Sequence, residues 1–515
     1  MFYIRASTGG AMPSSKSAVV RVGVVAVLSV TAAAVVAIAC AGSGSVDGAS
    51  PDGGDAAVEA SGPAFDPQGP TIYVSTAGSD TADGQTPSDA VQTIKVALGL
   101  AAACPSAPCY VKVAAGRYVG EVDLVDGVSV YGGYTIDFTT RDITNEVVVV
   151  SSLTDQAVLA NNLTKPTLLD GFTIVGSDLS ADLDGGTSYA LAIRASGMAL
   201  TVANSIIVGG KGAQGATGAP GGATSCNAGG GLGGVASDCN SATGSPGNAA
   251  GDTASGGDGG GGGENDCPSA CPLVGHDGIS DGDPGAPGGP GAGGVGGSPA
   301  GDTTGSFATG GWVGVVGGPG GAGLNGTGGG GGGSGGTKKI AACFGCGSLI
   351  GGTGGTGGAG GCGGAGGVGG GAGGAAIAVL VQTSQPTFQN VTIQGGTGGA
   401  GGTGGLGGAG APGGTIVDAG LVGGPSQTCG LISYSAGSGG YGGVGGSGGA
   451  GGGGAGGNGG PSIGIAVVGS SDMPSNPTIK IGAGGVGGRG GDGGAGASGV
   501  GQPGKPGAAV AQQTF

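Results

Sequence analysis

Long stretches of this chain repeat Gly-Gly-X, as in GGTGGTGGAGGCGGAGGVGGGAGG (351–374) and GGTGGAGGTGGLGGAGAPGG (395–414). No other feature restricts the fold as much, because two residues in three offer no side chain to bury. A three-residue period matches a threefold left-handed helix of the polyproline II type, which rises about 3.1 Å per residue. With two faces bare, neighbouring segments can approach and exchange N–H···O=C bonds, while every X side chain points outward. Two other readings compete. A collagen triple helix needs sustained Gly-X-Y rich in proline, and here 26 Pro stand against 144 Gly with many Gly-Gly pairs. Disorder is the third. Ordering a backbone costs about 1–2 kcal/mol per residue, more for glycine, and a net hydrogen bond returns about 0.5–1.5 kcal/mol. An ordered glycine bundle therefore needs cross-links.

The 11 cysteines supply candidates. Cys40 is set apart below. The other ten form an even set: Cys104 and Cys109, then Cys226, Cys239, Cys267, Cys271, Cys343, Cys346, Cys362 and Cys429, eight of them inside glycine-rich sequence. In an exported chain the expectation is disulfides. Zinc held by Cys267/Cys271 and Cys343/Cys346 is the weaker reading, because disulfides are the usual fate there.

Export is read from the N-terminus. Lys16 and Arg21 precede an apolar run from Val22 to Ala39, which ends Ala37-Ile38-Ala39-Cys40. A basic flank, an apolar run and small residues before a cut site make a signal layout. The ending resembles the lipobox of bacterial lipoproteins, which implies diacylation of Cys40 and a lipid-anchored protein at the outer membrane or cell surface. A plain transmembrane anchor and cleaved secretion are the alternatives. Residues 41–70 are small, polar and acidic, as in a flexible tether.

Residues 71–210 read as ordinary folded sequence. A short β-rich run at Thr71–Val74 precedes helical apolar spacing over Thr93–Ala103. Strands are then expected at Tyr110–Val113, Gly120–Leu124 and Val128–Tyr131. A coil-like unit recurs in ALAIRASGMALTVANSIIVGG (190–210), AIAVLVQTSQPTFQNVTIQGG (376–396) and GIAVVGSSDMPSNPTIKIGAGG (464–485). Asn204 aligns with Asn390, Ile207 with Ile393 and Gly209 with Gly395. A lone unit of about 20 residues cannot bury its apolar face, so such units must stack. Glycine-rich insertions are thus expected at 211–374 and 397–460, between coils at 375–396 and 461–485, with a glycine-rich tail at 486–515.

The runs TIYVSTAGSDTADGQTPSDAVQTIKVAL and YVKVAAGRYVGEVDLVDGVSVYGGY resemble the start of right-handed parallel β-helix proteins of the pectin-lyase-like kind. That resemblance implies an all-β fold, a right-handed parallel β-helix with Thr93–Ala103 as its N-terminal capping helix. The insertions resemble the glycine-rich repeats of PE-PGRS proteins and polyglycine-II bundles. The fold leaves function open, because it carries lyases, hydrolases, adhesins and inert scaffolds alike.

Catalytic tools are sparse. Only 9% of residues are charged, net charge is −16, and basic residues form no stripe, which argues against nucleic acid as a partner. The single histidine, His276, sits in CPLVGHDG and reads as a loop residue. Asp178, Asp182 and Asp184 in GSDLSADLDGG, with Arg194 nearby, form the one acidic cluster able to suggest calcium; an acidic turn between coils is the other reading. No further cofactor is expected. The function expected is therefore structural or adhesive, a non-catalytic cell-surface lipoprotein that meets envelope material, extracellular polysaccharide or other cell surfaces. A carbohydrate-active β-helix enzyme or binding module is the alternative.

Overall fold

The computed structural model describes residues 66–515 except 105–108, 146, 181–183, 227–228, 244, 246, 248–255, 268–279, 309–310, 340–346, 417–425, 430–431, 470, 472–473, 475–476 and 496–498. The N-terminal half alternates short apolar runs with glycine and Asx turns, which gives short strands. These are β1 (Thr71–Val74), β2 (Tyr110–Ala114), β3 (Gly116–Val119), β4 (Val122–Asp123), β5 (Ser129–Tyr134), β6 (Val148–Ser151), β7 (Gln156–Asn161), β8 (Thr167–Asp170), β9 (Thr173–Val175), β10 (Ser188–Gly197) and β11 (Leu200–Val208). Between β1 and β2 lies α1 (Ile94–Ala102). Its N-cap is Thr93, whose hydroxyl accepts from the Val96 N–H at 3.3 Å, and the Asp80 carboxylate accepts from the N–H groups of Gln92 and Thr93.

Within the first glycine-rich stretch lie two antiparallel pairs, β12 (Ser306–Ala308) with β13 (Gly311–Val313) and β14 (Lys338–Lys339) with β15 (Ser348–Leu349). Then come β16 (Ala376–Ser384) and β17 (Thr387–Gln394), a third antiparallel pair of β18 (Ser426–Cys429) and β19 (Ile432–Ser435), and β20 (Ser462–Val468), β21 (Thr478–Lys480) and β22 (Ala509–Thr514).

Two parallel sheets organise the rest. One has ten strands, in the order β1-β2-β5-β8-β11-β9-β6-β3, with β17 on β11 and β21 on β17; the other has six, β22-β20-β16-β10-β7-β4. The chain is thus nearly all β, with parallel sheets. Register builds the core. Ile72, Val111, Val130, Leu169, Val202 and Phe388 stand in one lateral column. Tyr118, Val150, Ile174, Ile207, Ile393 and Ile479 make a second. Val122, Val158, Leu191, Val379 and Ile465 make a third. Each column stacks apolar side chains inside one buried cluster. The central strands β10, β16 and β20 of the six-stranded sheet are buried on both faces, hence their near-continuous apolar runs. Their second face, with Tyr189, Ile377, Leu380 and Ile463, is covered by Phe307, Trp312 and Phe515.

The aligned repeats pair as their sequences align. Ile207 faces Ile393 across β11 and β17, and the Asn390 amide donates to Asn204 Oδ1 at 3.0 Å. Both asparagines take positive φ, 46° and 51°, at the same corner where the preceding strand layer has Gly171 at 85°. Asparagine is among the few residues that tolerate this region.

Three expectations change. The strand expected at Gly120–Leu124 is split: β3 ends at Val119, Gly120 turns with φ 141°, and only Val122–Asp123 pairs. Among the described residues the glycine-rich stretches hold three antiparallel strand pairs, in places where Phe, Trp, Lys, Leu, Ile and Tyr replace the repeat. Residues 509–514, within the expected glycine-rich tail, form β22, because AVAQQT contains no glycine and seats on β20.

Candidate contact face

Three segments leave the ten-stranded sheet and continue as glycine-rich chain without losing register. From Thr201↔Thr387 in the sheet, through the Lys211↔Thr397 bridge, to the Gly221 N–H donating to the Leu406 carbonyl, the partners stay in step. The third segment does the same, from Thr392↔Thr478, through Thr397↔Ala483, to Gly407 N–H donating to Asp492 O. A face three segments wide results.

The bonds along 398–408 show how Gly-Gly-X works. Gly398, Gly401, Gly404 and Gly407 donate to residues 483–492, while Gly399, Gly402, Gly405 and Gly408 donate to residues 374–365 in the opposite direction. The X residues Ala400, Thr403 and Leu406 lie on the remaining side. Successive rows across the face are Gln214/Ala400/Val486, Thr217/Thr403/Arg489 and Pro220/Leu406/Asp492, and the Thr403 hydroxyl donates to Thr217 Oγ1 at 3.2 Å.

Two segments break the repeat, and the reason is their position. In 328–336 (GGGGGGSGG) donors run to three neighbours in turn: Gly329, Gly332 and Gly335 to 358–352, Gly330, Gly333 and Gly336 to 286–280, Gly331 and Ser334 to 245–242. Segments 231–234, 257–263 and 437–443 donate back to it, which completes six neighbours. Segment 451–460 (GGGGAGGNGG) is enclosed likewise by 294–297, 318–321, 367–373, 399–408, 485–494 and 499–505. Every residue of 328–337 and 449–460 is buried. With no outward side, only a methyl group or a hydrogen-bonded side chain fits: Ala450 and Ala455 are buried, Ser334 Oγ accepts from Ala242 N–H at 2.8 Å, and the Asn458 amide donates to the Asp302 carbonyl while its Oδ1 accepts from Lys505 N–H at 2.9 Å. Sequence reading missed these two segments; the signal was the runs of more than two glycines.

Three disulfides are described: Cys104–Cys109, Cys226–Cys362 and Cys239–Cys267, the last two inside the glycine-rich stretches, with Cα separations of 5.5 and 5.8 Å. Cys40, Cys271, Cys343, Cys346 and His276 lie outside the described residues, and Cys429 is described only as the last residue of β18. Of the acidic cluster, Asp182 also lies outside. Asp178 is exposed beside Lys211, and Asp184 is already engaged, its Oδ1 accepting from the Ala216 N–H at 2.6 Å. Among the described residues no group of three or more His, Cys, Asp or Glu is placed to hold a metal.

Charge gathers at two other places. A cleft of about 530 Å³ beside α1 is lined by Lys95, Arg117, Tyr118 and Glu121. Where the chain enters the fold, Asp66 pairs with Lys112 Nζ at 2.8 Å and accepts from the Tyr134 hydroxyl at 2.6 Å. Burial works against the Asp66 carboxylate, but the hydrogen bonds from Lys112 and Tyr134, with the charges of Lys112 and Arg141, hold its pKa below the ordinary value. Burial pushes the Tyr134 hydroxyl up, and its bond to Asp66 adds to that.

No family model matches this chain, and no curated protein matches it. Among solved structures it is similar to a rhamnogalacturonan lyase, with 14% sequence identity over 28% of this chain and 40% of that one, at a TM-score of 0.16.

Proposed function

We propose that this chain is an exported, lipid-anchored, non-catalytic surface protein. Its frame is a right-handed parallel β-helix, and its polyglycine-II-type insertions form a rigid surface for contact with envelope material, extracellular polysaccharide or other cells. The observation carrying this reading is the unbroken register from sheet into glycine-rich chain. It fixes rows of X side chains on a backbone with hydrogen bonds in every direction but outward, which is the requirement for a contact surface rather than for a flexible linker.

Labelled palmitate is expected to enter the wild type and not Cys40→Ala, and protease added to intact cells is expected to reach the folded body. The purified chain carrying Cys40→Ala is expected to be retained on isolated envelopes. Absence of both surface exposure and retention would refute the reading. The polyuronate assay, with and without calcium, addresses the catalytic alternative; unsaturated or newly reducing ends lost with Asp178→Ala would replace the present proposal.

A further inference from the structure

We propose that the three-segment face formed by residues 206–221, 392–408 and 478–494 binds an extended anionic glycan with a disaccharide repeat, laid along the segments. The inference rests on the contact-surface reading and specifies its partner. Three cations stand on this face: Lys211, Lys480 and Arg489, all exposed. None enters a salt bridge among the described residues, where the ion pairs use Lys112, Arg141 and Lys338. Asp492 is the one carboxylate within the three segments; Asp178 and Asp184 stand on the adjoining segment, Asp178 beside Lys211 and Asp184 bonded to the Ala216 N–H. Cations thus outnumber anions three to one within the three segments, on a chain whose acidic residues outnumber basic ones 31 to 15. An acidic protein repels an anionic polymer everywhere except where its own field is locally reversed.

Period and shape select the kind of polymer. Beyond the Gly-Gly step the rows repeat every three residues, about 9 Å apart on a threefold extended helix, close to the length of two linked hexose rings. The rows offer hydroxyls at Thr397, Thr403 and Thr217, and exposed apolar surface at Val486 and Leu406, on which the C–H face of a sugar ring can lie. A groove of about 630 Å³ at the far end, lined by Thr217, Leu406, Arg489, Asp492 and Val500, continues the track. An anionic lipid surface fits less well. A continuous plane of headgroups cannot avoid Asp178 and Asp492, whereas a single thread passes between them.

The test uses the whole soluble chain carrying Cys40→Ala and three probes: a β-linked oligosaccharide with one carboxylate per disaccharide (a hyaluronan oligomer), a neutral β-linked oligosaccharide (a chitin oligomer), and phosphatidylglycerol vesicles. Titration calorimetry is expected to show binding of the first alone, about tenfold weaker in about 0.5 M salt, where screening is nearly complete at these distances. The triple variant Lys211→Gln/Lys480→Gln/Arg489→Gln, exposed positions whose change leaves the fold intact, is expected to bind about tenfold more weakly, as three exposed charge contacts imply. Asp492→Lys is expected to tighten binding. Equal affinity for the neutral oligomer, undiminished affinity in the triple variant, or binding to the vesicles alone would overturn the proposal. Envelope retention separates the two inferences. If it persists in the triple variant, this face is wrong and the surface reading survives; if the unmutated chain is neither surface-exposed nor retained, both fall.

Discussion

Placing a methyl group on an enclosed glycine separates an ordered bundle from a flexible tract. At Gly456 a β-carbon would press into the Gly488 carbonyl and sit 2.8 Å from the Arg489 oxygen, both in a segment that is itself hydrogen-bonded on other sides. No side chain can swing away. Separating the two segments costs about 1–3 kcal/mol as overpacking and weakens at least the bond from Gly488 N–H to the Gly457 carbonyl, worth about 0.5–1.5 kcal/mol. Gly456→Ala should therefore destabilise by about 2–4 kcal/mol. Gly222→Ala is the matched control. A β-carbon there meets nothing within 4 Å, and reduced freedom of the unfolded chain should leave stability equal or raise it by about 0.4–1 kcal/mol. Urea unfolding followed by far-UV circular dichroism, with disulfides intact, measures both. If the two variants unfold at the same urea concentration, the glycines do not pack as described.

Three further outcomes follow from specific contacts. Cys226→Ala/Cys362→Ala opens a link spanning 136 residues and should cost about 2–5 kcal/mol, read as a lower urea midpoint. Arg141→Met should cost about 3–5 kcal/mol, because it leaves Asp170 charged in a site where the two side chains are 2% and 7% exposed; adding Asp170→Leu should recover most of it, measured by thermal melting. The Asp126 carboxylate is held below its ordinary pKa, chiefly by the Lys165 N–H and further by Thr164. A lowered folded-state pKa stabilises the fold above the unfolded value and is lost as pH falls through the folded one. Asp126→Asn should accordingly shrink the drop in melting temperature on the acid side and leave less stability at neutral pH.

What the sequence disclosed depended on side chains. Helix α1 was visible because Ile94, Ala97, Leu98 and Ala101 recur at helical spacing and are the residues buried. The alignment of Asn204 with Asn390 was visible because a left-handed corner restricts residue choice. The acidic cluster looked like one site because its members are close in sequence, yet Asp184 turns to cap the Ala216 backbone. The enclosed segments were harder to see. Glycine carries no sign of what lies beside it, and the six neighbours that surround 451–460 include segments more than a hundred residues away, such as 318–321. The contact face was hidden for a similar reason: Lys211, Lys480 and Arg489 are scattered in sequence and meet only through register.

Amide hydrogen exchange, read by mass spectrometry on the disulfide-intact chain, tests the bundle most directly. The amides of 328–336 and 451–460 are expected to be protected to the same degree as those of β16, because these residues are buried and nearly all of them donate to a neighbouring segment. Exchange of these segments at the rate of an unstructured peptide, alongside a protected β16, would contradict the account.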